Sequence, residues 1–401
     1  YFAKGYEYSL QVQPKTQKEI ETLSSFGGQM IFTPGDVIYS SSRLIEMEPP
    51  NLRTEKLLAL MDKYNISFND LRETLGKFKG KKVHVIGDTI IDTLTHCSMI
   101  GGQTKTPTMS VRFEEKKDFI GGAAIVARHL KNAGSDVVFS TVLGNDDYKD
   151  FVLKELKDND ISVNAIIDGT RPTTNKNAIV TQGYRLLKID TLENQSISDE
   201  IRKKLELSIK NQHSDCIVFS DFRHGIFNRR TIDHLVNSIP KKVYKVADSQ
   251  VASRWGNITE FKKFDLVTPN EREARFALGD QDSGIRPLAS SLYDQAECKL
   301  LILKIGDRGV LTCRSKNHES PDSFFVVDSF VNQVKDAVGA GDALLAYSTL
   351  AMLACNNEII ATILGTMAAA VECEVDGNIP VNTMDVIKKI DDAEKLALYK
   401  S

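Results

Sequence analysis

Asp336-Ala337-Val338-Gly339-Ala340-Gly341-Asp342-Ala343 is followed directly by an apolar run that extends to Cys355. This pattern predicts a glycine-containing loop that leads into the N-terminus of a helix. Because Gly339 and Gly341 have no Cβ atom, their backbone can aim successive N–H groups at one point. The helix start adds unpaired N–H groups and the positive end of its dipole, so the loop is predicted to bind an anion.

Asp342 adds a chemical group to this loop. A carboxylate at a helix start ordinarily caps the helix. It can instead accept the proton of a hydroxyl that attacks a phosphorus atom held by the loop, and phosphoryl transfer to an alcohol needs this combination of positioning, electrostatic cradle and base. The octapeptide alone leaves both interpretations open, a capped helix entry without a ligand and a phosphoryl-transfer site.

Length and composition narrow the class of protein. The chain has 401 residues, which favours two domains, and its 51 basic and 54 acidic residues favour no nucleic-acid partner. The six cysteines form no CxxC pair, which is typical of free thiols in a reducing compartment. The most apolar stretch, 343–375, is interrupted by Asn356, Asn357 and Glu358, so neither piece is predicted to span a membrane. With no signal peptide at its start, the chain is expected to be soluble and cytoplasmic.

The first 80 residues have a different character from the rest. A helix over 17–30 and a strand at Met30–Phe32 are predicted, and the hydroxyl cluster Tyr39–Ile45 fits either a helix cap or a phosphate site. Lys4–Tyr8, this strand and residues 32–45 resemble the C-terminal part of a cytidylyltransferase-like nucleotidyltransferase domain. The catalytic HxGH motif of that family is not found in residues 1–45, so this piece is not expected to transfer a nucleotide. Residues 1–48 are assigned to this part and 49–80 to a helical linker.

From residue 81 the sequence alternates between buried strands and helices. Val83–Asp88 is an apolar run that ends in Gly-Asp, as in a buried parallel strand whose carboxyl end faces a site. Similar runs follow at Val137–Leu143, Cys216–Asp221, Lys242–Asp248, Leu266–Pro269 and Leu300–Ile305. Helical segments between them predict an α/β sandwich over a mostly parallel sheet. Two β-rich excursions, 93–119 and 171–190, are predicted to pair into a small lid.

Acids and glycines near the strand ends are the candidate substrate ligands. Asp92 with Gly121-Gly122 is predicted to hold a polyol, since a carboxylate accepts two hydroxyl hydrogen bonds. Asp88 is equally well explained as the cap of a turn. Asp221, in Ser220–Gly225, is either a ligand of a hydroxyl or metal or part of a polar loop that satisfies itself.

Two later motifs are candidates for the nucleotide end. Asn270 and Glu273 lie three residues apart and face the same side of a helix start, where an acid suits Mg²⁺ held through water. A capping box explains the same pair. Lys304, with Gly306 and Gly309 after it, forms a strand-to-turn segment that fits the wall of a nucleotide pocket.

The order of these motifs resembles the PfkB/ribokinase family of carbohydrate kinases over residues 81–392. Within it, the chain is most similar to heptose-7-phosphate kinase domains that are joined to a nucleotidyltransferase. The resemblance implies a ribokinase-like three-layer α/β sandwich with a small β lid, and ATP and Mg²⁺ as cofactors. In that family two lids often clasp, which implies a homodimer.

The resemblance also implies a role for each matching residue. Asp342 would be the base that deprotonates the sugar hydroxyl, and Gly339, Ala340 and Gly341 would form the anion hole for the γ-phosphoryl group. The other implied positions are Asn270 and Glu273 near Mg²⁺ and the phosphates, Asp92, Gly121 and Gly122 at the sugar, Gly306 and Gly309 by the nucleotide, and Asn378 as a weak match to an adenine-side loop.

The chain departs from the family at the substrate end. The usual asparagine after Gly-Gly-Ala-Ala is Ile125, and the lid motif Lys-Thr-Arg reads Lys176-Asn177-Ala178. Other cations of the lid region are Lys105, Arg112, Arg185 and Lys188. The prediction is an ATP- and Mg²⁺-dependent kinase of a sugar or sugar phosphate. Its alternatives are an inactive sugar- or nucleotide-binding scaffold, a nucleotidyltransferase with an accessory kinase-like half, and a nucleoside kinase.

Overall fold

The computed structural model describes residues 2–5, 14–33, 52–102, 108–250, 257–375 and 377–398. The chain divides into two compact units, Tyr1–Leu52 and Arg53–Ser401. Each unit is described by itself.

The first unit contains one strand–helix–strand element in its described residues. Strands β1 (Phe2–Gly5) and β2 (Met30–Thr33) are parallel, with Phe2 opposite Met30, and helix α1 (Pro14–Ser25) connects them. The predicted helix and strand are therefore present. The hydroxyl cluster at 39–45 lies outside the described residues, and the resemblance to a nucleotidyltransferase stays a prediction.

Helices α2 (Leu52–Lys63) and α3 (Phe68–Gly76) occupy the segment that the sequence analysis assigned to a linker. Their apolar side chains are buried in the core of the second unit, among them Leu57, Met61, Leu71 and Leu75. The spacing of these side chains at i and i+4 gives each helix one apolar face. The linker prediction does not hold for these helices, because they are packed parts of the larger unit.

The second unit is built on a nine-stranded sheet with the order β15-β14-β13-β12-β11-β10-β3-β6-β7. Its strands are β3 (Lys82–Gly87), β6 (Asp136–Leu143), β7 (Ser162–Ile167), β10 (Cys216–Asp221), β11 (Tyr244–Ser249), β12 (Leu266–Val267), β13 (Leu300–Lys304), β14 (Val310–Cys313) and β15 (Phe324–Val327). Neighbours from β7 to β13 pair in parallel, while β14 and β15 are antiparallel additions. The predicted α/β fold with a mostly parallel sheet is confirmed.

Helices cover both faces of this sheet and make three layers. They are α4 (Ala123–Asn132), α5 (Asp147–Asp158), α6 (Asp199–Asn211), α7 (Thr231–Asn237), α8 (Glu271–Leu278), α9 (Ile285–Ala296), α10 (Ala340–Cys355), α11 (Glu358–Cys373) and α12 (Thr383–Leu398). Side chains of β10 alternate between two separate cores: Cys216 and Val218 pack with α4, α10 and α11, whereas Ile217 and Phe219 pack with α6, α7 and α9. This alternation is why the strand is apolar at every position.

The predicted lid is a separate four-stranded sheet with the order β5-β4-β8-β9. Its strands are β4 (Thr89–Gly102), β5 (Met109–Gly122), β8 (Thr174–Thr181) and β9 (Tyr184–Thr191). β4 begins two residues after the end of β3, so the lid grows directly out of a carboxyl end of the central sheet. Among the described residues, no helix is both long and apolar enough to span a membrane.

Candidate active site

A cleft of about 1250 Å³ is lined by the lid, by loops at the carboxyl ends of the central strands and by the start of α10. Ligands of open α/β sheets bind at this edge. Most of the predicted site residues line the cleft: Asp92, Gly122, Lys176, Asn270, Glu273, Lys304, Gly306, Gly309, Gly339, Ala340, Gly341, Asp342 and Asn378. Asp88, Gly121 and Asp221 do not.

The turn that starts α10 has the geometry that the glycine pattern predicts. Gly339 is the N-cap residue and has φ +88°, a left-handed conformation that favours glycine. A Cβ atom there would lie 2.5 Å from Asn378 Oδ1 and 2.8 Å from Glu372 Oε1, so a side chain at position 339 would displace these two groups. Since N–H groups at a helix start have no partners within the helix, the turn presents backbone donors to the cleft.

Asp342 lies in the first turn of α10 and is 8% exposed. Among the described residues its Oδ1 has no hydrogen-bond partner, so this oxygen is not held in a structural pair. Burial raises the pKa of Asp342 to about 8, the nearby charges of Asp248 and Glu273 act in the same direction, and Lys304 opposes them. The group is therefore placed in the cleft as a weak acid.

Asn270 and Glu273 form the capping box that was the alternative to a metal role. The Glu273 N–H donates to Asn270 Oδ1 at 2.8 Å, and the Asn270 N–H donates to Glu273 Oε2 at 2.7 Å. Both residues nevertheless line the cleft. Burial raises the pKa of Glu273 to about 7.

Asp92 is placed where β4 leaves the central sheet, next to the glycine pair of β5. A Cβ atom on Gly121 would lie 2.2 Å from Asp92 Oδ2, so the absence of a side chain makes room for this carboxylate. Lys176 of β8 and Arg185 and Lys188 of β9 line the same end of the cleft. Burial raises the pKa of Asp92, and these three cations act against that shift.

Asp88 and Asp221 serve the loop after β10 instead of the cleft. Asp88 Oδ2 accepts the N–H groups of Phe222 at 3.1 Å and His224 at 3.2 Å. Asp221 accepts the Ser249 hydroxyl at 2.7 Å and forms an ion pair with Arg223 at 2.9 Å. The structure thus contains the second alternative for Asp221, a polar loop whose groups bond to one another.

Two acids near the turn that starts α10 were missed by sequence reasoning. Asp248 follows the apolar residues of β11, and the same position after an apolar strand made Asp88 a candidate. The sequence pattern could therefore have identified Asp248 as well. Glu372 is the penultimate residue of the apolar helix α11; it is fully buried, and among the described residues neither carboxyl oxygen has a hydrogen-bond partner. Burial, followed by the charge of Asp342, raises the pKa of Glu372 to about 8.

Comparison with known proteins identifies the family. The model of the pfkB family of carbohydrate kinases matches residues 81–383. The chain belongs to this family. Among curated relatives, the bifunctional protein HldE of Bradyrhizobium diazoefficiens is 25% identical over 333 residues, which cover 81% of this chain and 65% of the relative. HldE of Helicobacter acinonychis is 25% identical over 299 residues, with 73% and 62% covered. The chain thus spans about two thirds of the length of these relatives.

Two solved sugar-kinase structures show the same fold. Escherichia coli phosphofructokinase-2 in complex with fructose-6-phosphate has a TM-score of 0.63 at 16% identity, covering 79% of this chain and 99% of that structure. Ribokinase from Thermotoga maritima has a TM-score of 0.60 at 20% identity, with 79% and 99% covered. The predicted resemblance to this family is confirmed over residues 81–383.

Replacement of Glu372 by glutamine is expected to change the pH dependence of stability. The raised pKa of about 8 keeps Glu372 protonated in the folded protein, whereas the unfolded chain loses this proton near the ordinary glutamate pKa of 4.5. The free energy of unfolding should therefore fall by up to about 1.4 kcal/mol per pH unit across this range. Glu372→Gln should remove this slope and be the more stable protein above pH 8. Urea unfolding from pH 5 to 9 measures the difference, with the exposed Glu73→Gln as control; equal slopes for the wild type and Glu372→Gln would contradict it.

Proposed function

We propose that the chain transfers the γ-phosphoryl group of ATP to a hydroxyl of a sugar or sugar phosphate, in the manner of a heptose-7-phosphate kinase. The observation that carries this proposal is that one cleft contains both halves of a kinase site. The start of α10, a proposed anion hole, lies in it with Asp342, whose Oδ1 has no partner among the described residues, and Asp92 lies at the other end with cations of the lid. Membership of the pfkB family supports the same reaction class.

Asp342 is the proposed general base. Its carboxylate accepts the proton of the sugar hydroxyl as the oxygen attacks phosphorus, and Gly339, Ala340 and Gly341 stabilise the charge of the migrating group. Only the deprotonated form accepts a proton, so turnover should rise with pH towards the pKa of about 8. Asp92 accepts hydroxyl hydrogen bonds and orients the sugar.

The nucleotide is proposed to lie along Gly306, Gly309 and Asn378, with its phosphates near Asn270 and Lys304, all of which line the cleft. Magnesium would neutralise phosphate charge when bound. Within the described ranges, no group of three or more His, Cys, Asp or Glu side chains is arranged to hold a metal. Glu273 therefore fits an ion that is coordinated mainly by water and phosphate oxygens.

A phosphorylated sugar is the favoured acceptor class. Lys176, Arg185 and Lys188 line the cleft beside Asp92, so one end combines a hydroxyl acceptor with three cations. An anionic group on the substrate would complement these charges, while a neutral sugar would leave them unpaired. Heptose 7-phosphate meets this description, and the match to HldE proteins supports it.

A linked nucleotidyltransferase step is part of the same proposal. Its support is the description of the relatives as bifunctional and the strand–helix–strand element of the first unit. One observation favours a different function, a binding scaffold without turnover: Ile125 is fully buried, so the usual asparagine of the family has no polar replacement at this position. The unpaired carboxyl group of Asp342 favours catalysis.

Replacement of Asp342 by alanine should lower kcat by roughly 10²–10⁴, the usual effect of losing a general base, while the nucleotide still binds. Phosphorylation is measured as ADP release on heptose phosphates, hexose phosphates and the free sugars, and nucleotide binding by calorimetry. Asp150→Ala, at a side chain that is 73% exposed, is the control. Near-normal turnover of Asp342→Ala would show that another group activates the hydroxyl, and a wild type inactive on the whole panel would favour the scaffold.

Replacement of Lys176 by methionine tests the acceptor class. Loss of a charged hydrogen bond should raise KM for a phosphorylated sugar by roughly 10–100-fold, and leave KM for a free sugar nearly unchanged. Lys117→Met, at another lid lysine that is 54% exposed, serves as control. An equal effect on both substrates would mean that Lys176 does not contact the substrate phosphate.

We propose in addition that two copies pair through their lids. The lid exposes apolar side chains that such a contact would cover: Met99, Ile100, Met109, Phe113 and Tyr184. Sedimentation velocity should give the mass of two chains, and Phe113→Asp should shift it towards one. A wild-type mass of one chain at micromolar concentrations would exclude this arrangement.

A further inference from the structure

Lys304 is the only charged residue of strand β13, and its side chain crosses from the sheet to the turn that starts α10. Its Nζ lies 3.3 Å from both carboxylate oxygens of Asp248. Asp248 lies at the carboxyl end of β11, and strand β12 lies between β11 and β13 in the sheet. The side chain of Lys304 is 15% exposed and that of Asp248 is 2% exposed. The ammonium group is therefore held at a defined place at the inner wall of the cleft.

That place is beside Gly341. A Cβ atom built on Gly341 would lie 3.1 Å from Lys304 Nζ, 3.7 Å from Cδ and 3.8 Å from Cε. The side chain of Lys304 thus runs along the backbone of the proposed anion hole, in space that a side chain at position 341 would need. Lys304 and Gly341 both line the cleft.

The surrounding charges keep this ammonium protonated. Burial alone would lower the pKa of Lys304, but Asp248, Glu273 and Asp342 together raise it. Of these acids, only Asp248 is within salt-bridge distance of Nζ. A positive charge of this kind, fixed by its partner before substrate binds, needs no reorganisation during reaction.

We propose that Lys304 is a catalytic residue whose ammonium group contacts the migrating phosphoryl group, while Asp248 positions that ammonium against Gly341. The inference rests on the proposed function and extends it. Negative charge on the equatorial oxygens of the phosphoryl group meets a cation that the protein itself supplies, in addition to the backbone N–H groups of the turn. Asp342 remains the base, and the proton of the hydroxyl goes to it.

A purely structural ion pair between Lys304 and Asp248 is the competing explanation. Removal of Lys304 alone leaves Asp248 buried without a partner, and that change by itself can disturb the fold. The double variant Lys304→Met with Asp248→Asn removes both charges and avoids this problem. The two explanations therefore differ in what they predict for the double variant.

The experiment measures kcat, KM for ATP and KM for the sugar substrate in Lys304→Met, Lys304→Arg and the double variant. Lys304→Met should lower kcat by roughly 10²–10³, the usual effect of losing one charge-stabilising group, with KM for the sugar within a few-fold of wild type. Lys304→Arg should retain more activity than Lys304→Met, and the double variant should stay as slow as the single one. Binding of a non-hydrolysable ATP analogue should persist in all of them. Lys149→Met, at a paired lysine 21% exposed and outside the cleft lining, is the matched control.

The pH profile tests whether the charge of Lys304 acts on Asp342. Since the charge of Lys304 lowers the pKa of Asp342, Lys304→Met should shift the acidic limb of kcat to higher pH. Recovery of kcat in the double variant, or an unchanged kcat in Lys304→Met, would overturn the proposal while the wild type still phosphorylates its sugar. A wild type that phosphorylates no member of the panel would overturn the proposed function and this inference with it.

Discussion

The gathering of buried carboxyl groups around one ammonium at the start of α10 is the constraint on which the site depends. Asp248, Glu273 and Asp342 lie close enough to Lys304 to raise its pKa. A site with three ionised acids would repel a nucleotide. Burial raises the pKa of all three, and the charge of Asp248 adds to the shift at Glu273 and Asp342. The negative charge of these acids is therefore neutralised partly by bound protons and partly by Lys304. With pKa values of about 7 for Glu273 and about 8 for Asp342, the proposed base, the cluster is only partly ionised near neutral pH.

The parallel sheet explains why polar groups meet at this edge. Asp88 and Asp221 follow or end β3 and β10, while Asp248 and Lys304 lie at the ends of β11 and β13. All are brought to one edge because parallel strands share a direction. Their contacts separate their roles: Asp88 accepts N–H groups of the loop after β10, whereas Asp248 holds the side chain of Lys304, which lines the cleft.

The sequence predicts what depends on short-range patterns. The turn at 339–341, the parallel sheet and the lid were found because glycine placement, apolar runs and alternation are local signals. The role of Asp88 was not decided, since the donors that fill its oxygens come from residues 222–224, more than a hundred positions away. Glu372 was missed because an acid within an apolar helix gives no sign that its oxygens approach Gly339. The polar composition of residues 49–80 predicts a helical linker, but the apolar residues of α2 and α3 recur at i and i+4 and pack into the core.

The two ends of the cleft are formed by different structural elements, so residues at one end can change without altering the packing at the other. Gly341, Asp342 and Lys304 belong to α10 and the central sheet, where α10 is buried along most of its length. Lys176 and Lys188 belong to lid strands, and β9 is mostly exposed. A substitution on the lid would change the proposed substrate end of the cleft without disturbing the packing around Asp342. A side chain at position 341 would instead contact Lys304. This difference in packing allows a lid segment such as Lys176-Asn177-Ala178 to vary while the turn at 339–342 keeps its packing.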